Sequence, residues 1–176
     1  MAEINFRTGT IDTGALVREI LKGYKLPLRG HHGVVHWARV LDNGLGLAEA
    51  NDANVDVVVL FALFHDSRRV NEGSDWGHGR RGAELARSLR GTFVHLADAE
   101  FDLLYEACRG HTEGTISSDV TIQACWDADR LDLWRVGTMP EPERLGSDFA
   151  RLLVPWAVER AEQRVVPEIV VREWGV

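Results

Sequence analysis

The segment VDVVVLFALFHD, residues 55–66, constrains the fold more than any other part of the chain. Val57 to Phe64 is an unbroken apolar run, and it ends on a histidine and an aspartate side by side, His65 and Asp66. A run of this kind belongs in a core, so the two polar side chains are delivered to its edge. An imidazole and a carboxylate placed there need partners, because an unpaired buried charge is costly.

The run is short enough to be a buried strand or a buried helix, and its β-branched residues suit either. No glycine-rich phosphate loop follows it and no strand-helix alternation surrounds it, which favours the helix. Along the rest of the chain the periodicity predicts helices over about 13–24, 32–48, 78–90, 97–110, 119–136 and 146–162, with 54–66 as the central one. The expected class is all-α, a compact bundle of about six to seven helices. The tail PEIVVREWGV alternates like a strand and is expected to pack along the domain or against another subunit.

Composition enters mainly by exclusion. The chain has 176 residues, ordinary apolar and charged content, and no repeat or low-complexity segment, so one domain spanning 1–176 is expected. A net charge of -7 argues against a nucleic-acid polymer or an anionic membrane surface as partner, since both call for a Lys/Arg excess. No segment approaches the roughly 18 apolar residues of a membrane span. Cys108 and Cys125 are too far apart for a CxxC pair and read as buried, reduced thiols in a cytoplasmic protein.

The helix DVTIQACWDADRLDLWRVG, from residue 119, carries a carboxylate where a core residue is expected. At about 100° per residue, Ile122, Cys125, Trp126, Asp129, Leu133 and Val136 share one stripe. Asp129 therefore sits in an apolar face and calls for a cation, a hydrogen bond or a metal. Asp127 points elsewhere and reads as solvated or as a support for a neighbouring loop.

In GHHGVVHWARV, His32, His36, Val40 and Leu47 project from one side, whereas His31 reads as surface. The HxxxH spacing of His32 and His36 invites comparison with zinc proteases, but Gly33 stands where their general base would be. His36, His65, Asp66 and Asp129 together make a mixed nitrogen and oxygen donor set. Such a set suits a divalent ion of the Mn, Fe, Co, Ni, Zn or Mg kind, with positions open for water or substrate.

The segments HWARV, LFALFHD and DADRLDL, in that order, resemble the HD-domain superfamily of metal-dependent phosphohydrolases over residues 30–137. The resemblance implies an all-helical fold, a divalent metal held by His36, His65, Asp66 and Asp129, and attack on phosphorus by a metal-activated water. It implies that Asp66 ligates the metal and orients or deprotonates that water. His78, in HGRRGAELA, and His111, in GHTEG, are similar to the additional histidines of binuclear members. They would serve either as acid groups or as ligands of a second metal. Arg68 and Arg69 after the pair, and Arg80 and Arg81 beside His78, would meet the phosphate of a small substrate.

The chain departs from known branches. Arg69 replaces the glutamate of the 5'-deoxynucleotidases, and SRRVNEG and GTI match neither motif of the cyclic-di-GMP branch. The expected activity is therefore hydrolysis of a phosphate ester or anhydride in a nucleotide or other small phosphorylated metabolite. The rivals are a di-iron oxygenase of the same fold and a non-catalytic metal- or ligand-binding domain, and the oligomeric state is left open. Trp76, in the loop before His78, reads as a lid or a structural loop residue, and Trp37, Trp126, Trp134 and Trp156 read as packing.

Overall fold

The computed structural model describes residues 11–176, and these form eight α-helices with no strand among them. The helices are α1 (Thr13–Leu21), α2 (Val34–Asn51), α3 (Val55–Phe64), α4 (His78–Ser88), α5 (Asp98–Gly110), α6 (Val120–Leu131), α7 (Asp148–Glu162) and α8 (Glu168–Arg172). Short 3-10 turns cover Leu133–Val136 and Pro142–Arg144. No described helix is long and apolar enough to cross a membrane.

The apolar run forms α3, the centre of the bundle, with α2, α4, α5 and α6 packed around it. All eight residues from Val57 to Phe64 are buried. Four valines in a ten-residue helix oppose intrinsic propensity, but each fully buried large apolar side chain contributes about 1.5–3 kcal/mol, so packing wins. Asn54 fixes the start of α3 by accepting from the Val57 amide. Asp12, Asp119 and Ser147 cap α1, α6 and α7 in the same way, satisfying amides that the helices leave unpaired.

Three sequence expectations need correction. The helix expected to run from 119 to 136 stops at Leu131, and a 3-10 turn follows. The break falls at Asp132, whose carboxylate is held by Arg39 and His36 from α2; these contacts override the helical pattern. Asp127 is not solvated: it is 1% exposed and accepts from Gln123 and from the Gly146 amide, so it supports the loop ahead of α7. The tail is not a strand. It forms α8, which buries Val170, and is followed by the buried Trp174, whose indole donates to Thr13 Oγ1.

The stripe chosen on α6 is also not its deepest face. Ile122, Trp126 and Leu133 are half-buried and Val136 is exposed, whereas Ala124, Cys125, Ala128 and Leu131 are buried. Asp129 thus lies on the more open side, its side chain 14% exposed. Both cysteines are buried and free, and burial pushes both thiols up from their ordinary values.

Candidate metal centre

Five helices bring side chains together where α3 ends. His36 comes from the first turn of α2, and His65 and Asp66 from the residues immediately after α3. His78 opens α4, His111 follows α5, and Asp129 comes from the last turn of α6. All but Asp129 are buried.

α4 reaches this meeting point through two glycines. A Cβ at Gly82 would lie 2.1 Å from the Phe64 carbonyl oxygen, and one at Gly79 would lie 2.2 Å from that of Cys108. The helix therefore rests directly on the ends of α3 and α5, and its first residue, His78, is brought against Asp66.

The two carboxylate oxygens of Asp66 face different histidines. Oδ2 accepts from His32 Nδ1 at 2.7 Å and lies 3.5 Å from His36 Nε2. Oδ1 lies 3.1 Å from His78 Nε2 and 3.7 Å from His111 Nε2. Two donor clusters result, His36–His65–Asp66 and Asp66–His78–His111, sharing one aspartate. Asp129 Oδ1 joins the first, 3.4 Å from His36 Nε2 and 3.7 Å from His65 Nε2.

The hydrogen bonds on the far side of each ring define what the near side can do. His36 Nδ1 donates to Asp132 at 2.7 Å, and His65 Nδ1 donates to the carbonyls of Phe61 and Ala62, each at 3.1 Å. His78 Nδ1 donates to the Asp75 carbonyl and His111 Nδ1 to that of Cys108. With every Nδ1 acting as a donor, every Nε2 presents a lone pair. The Nε2 atoms of His36 and His65 are 3.0 Å apart, and those of His78 and His111 are 2.9 Å apart.

Lone pairs held that close repel unless a cation or a proton lies between them. The donor set thus fits a divalent ion at the first cluster and admits another at the second, with outer hydrogen bonds of the kind that orient metal-binding histidines. In the protein alone a proton takes this role for the first pair. Burial disfavours charge on both rings. At His36 the hydrogen bonds that the ring donates to Asp129, Asp132 and Asp66 outweigh it and raise the pKa to about 9, whereas His65 is left at about 3. Burial also opposes ionisation of Asp66 and Asp129, but the surrounding histidines hold both well below the usual carboxylate range.

The basic residues are divided in their tasks. Arg69 is buried, with Nη2 on the Gly73 carbonyl and Nη1 near Asp66 Oδ1. Nη1 lies 3.3 and 3.1 Å from Nδ1 and Nε2 of His78, and Thr112 Oγ1 lies 3.3 Å from that Nε2. Arg68 donates to the carbonyls of Ile20 and Ser67, and Arg81 is paired with Asp75. Arg80 is exposed. With Lys25, these four arginines line a cleft of about 440 Å³, whose wall includes none of the histidine and aspartate donors themselves. Trp76 is 79% exposed.

Sequence reasoning did not find Asp132, Arg39 or Arg135. Asp132 is held between His36 and Arg39, and Arg135 donates to the Asp132 and His31 carbonyls. Their only sequence signal was a third acidic residue in DADRLD, which has no meaning until α2 and α6 are set side by side. His32, expected to open the helix, lies in the turn just ahead of α2, and its bond to Asp66 was not foreseen.

No family model matches the chain, and no curated protein matches it. Among solved structures it is similar to a predicted HD superfamily hydrolase from an uncultured Thermotogales bacterium. That similarity has 25% sequence identity and a TM-score of 0.65 over 92% of each chain. Fold and site together define an all-α protein with a histidine–aspartate centre able to hold a metal ion. The resemblance to the HD-domain superfamily read from the sequence holds in the architecture and in this centre.

Proposed function

We propose that the protein is a cytoplasmic metal-dependent phosphohydrolase acting on a nucleotide or another small phosphorylated metabolite. The observation that carries the reading is the convergence of four histidine Nε2 lone pairs on the two oxygens of Asp66. When bound by His36, His65, Asp66 and Asp129, a divalent ion supplies Lewis acidity toward a phosphoryl oxygen and acidifies a water.

The residues supply the rest. Asp66 is fixed by His32, so an oxygen facing the second cluster remains in place to orient or accept a proton from a water. His78 and His111 offer Nε2 as the atoms that deliver a proton to a leaving oxygen. At His111 burial opposes protonation, but the hydrogen bond with Asp66 and the charges of Asp129 and Asp66 raise its pKa, which suits such a donor. Arg68, Arg69 and Arg80 on the neighbouring cleft suit phosphate oxygens, Arg69 by positioning His78 and Arg80 by direct contact.

The test is a panel of phosphate monoesters, nucleotides and dinucleoside phosphates offered to protein loaded with Mn, Fe, Co, Ni, Zn or Mg. The expected result is metal-dependent phosphate release that is abolished in His65→Ala and shows a raised KM in Arg80→Gln. Release that persists in His65→Ala defeats the reading.

One observation favours a second reading. Asp66 offers one oxygen to each cluster, and His78 and His111 complete the second, as a di-iron oxygenase of this fold would require. Two irons per chain with substrate-dependent oxygen uptake would select it. A metal bound without turnover of any kind would select the non-catalytic domain.

A further inference from the structure

A second cavity, of about 630 Å³, opens between the loop before α2, the 3-10 turn after α6 and the C-terminal end of α7. We propose that it binds a small phosphorylated molecule with a planar apolar part, such as a nucleoside monophosphate, and that its occupancy is coupled to metal binding at His36.

The lining supplies the chemistry. Arg29, Arg39, Arg135 and Arg164 surround it against Glu162 as the acidic counterpart, a local reversal of sign in a chain of net charge -7. The half-buried Trp134 adds an aromatic wall. Guanidinium groups beside an indole match phosphate oxygens and a planar ring. Arg39 and Arg135 are already fixed by Asp132, His31 and Val165, so the walls are preformed. Arg29 makes one long contact, 3.4 Å to the Val176 carbonyl, which leaves its fork available.

The coupling follows from a chain of hydrogen bonds. The carbonyl of Val165, next to Arg164, accepts from Arg39 Nη1 at 3.1 Å. Arg39 Nε donates to Asp132 Oδ1 at 2.6 Å, and Asp132 Oδ2 accepts from His36 Nδ1 at 2.7 Å. A ligand that moves the turn of Arg164 or draws on Arg39 changes the hold of Asp132 on His36. By linkage, ligand and metal must then alter each other's affinity by the same factor.

The experiment is calorimetric titration of metal-free full chain with AMP and with phenyl phosphate, repeated on the double variant Arg29→Gln/Arg164→Gln, on Trp134→Leu, and on Arg80→Gln. Neither rim arginine touches the metal centre, and circular dichroism of each variant shows whether it folds. The expected result is binding at this cavity whose affinity falls roughly tenfold or more in the double variant, separable from any binding at the Arg80 cleft, which the double variant leaves intact. Phenyl phosphate and AMP should both weaken at this cavity in Trp134→Leu, and Arg80→Gln should remove only binding at the substrate cleft. Titration of Mn(II) with and without saturating AMP should shift the metal affinity in wild type and not in the double variant.

Failure of both probes to bind at millimolar concentration overturns the proposal, as does binding that is lost in Arg80→Gln and kept in the double variant. Binding with an unshifted Mn(II) affinity overturns the coupling. Because the titration uses metal-free protein and measures no turnover, these outcomes are independent of whether the protein is a hydrolase.

Discussion

His36 Nε2 and His65 Nε2 stand 3.0 Å apart with both lone pairs turned inward, each ring fixed by a hydrogen bond from its own Nδ1. Two imidazoles so arranged hold a cation between them or share a proton. Everything foreseen for metal binding rests on that relationship.

His36→Ala or His65→Ala should abolish metal uptake at the first cluster, measured as metal per chain by elemental analysis. His78→Ala should leave the first metal in place and remove only a second. Loss of all metal in His78→Ala would mean that the two clusters form one site.

Asp132→Asn keeps the size of the side chain but weakens the charge that orients His36 and pairs with Arg39. Metal affinity should fall about 10- to 100-fold, read by competition against a chromogenic chelator. An unchanged affinity would show that His36 is held by packing alone.

The two aspartates of DAD should separate. Asp129→Ala is expected to lower metal content, and in the metal-free protein to lose the stability that its pairing with His36 supplies. Asp127→Ala removes the acceptor of Gln123 and the Gly146 amide, and should cost about 1–3 kcal/mol in chemical denaturation with metal content unchanged. The reverse pattern would exchange their roles.

Stability of the metal-free protein should pass through a maximum near pH 6.5. His65, with a folded pKa of about 3 against 6.5 unfolded, favours the native state above 6.5, and this contribution is lost as pH falls toward 3. The depressed carboxylates of Asp66 and Asp129 add to the acid-side loss. His36, raised to about 9, contributes fully below pH 6.5 and loses that contribution as pH rises through 9. Thermal melts from pH 4 to 10 in the presence of a chelator check this; a flat profile would contradict the shared proton.

Gly82→Ala places a methyl group against the Phe64 carbonyl and should cost about 1–3 kcal/mol. Because the displaced helix carries His78, any second metal should be lost along with the stability. A variant as stable as wild type would mean that α4 shifts without strain.

The sequence by itself determined the all-helical class and marked the candidate donors. An apolar run ending in His65–Asp66, histidines at 36, 78 and 111, and a carboxylate at 129 are facts of composition and spacing, legible because helical periodicity is local. What only the tertiary structure decided is which groups support those donors. Asp132 was lost inside an expected helix, Asp127 was read partly as solvated, and the arginines of the second cavity went unremarked, because each acquires its partner from an element tens of residues away. The tail shows the same limit: its alternating residues fit a strand locally, while in the fold they form a short helix that buries Val170 and is followed by Trp174 bonded to Thr13. Burial and pairing depend on which surfaces meet, and that is decided by the whole chain at once.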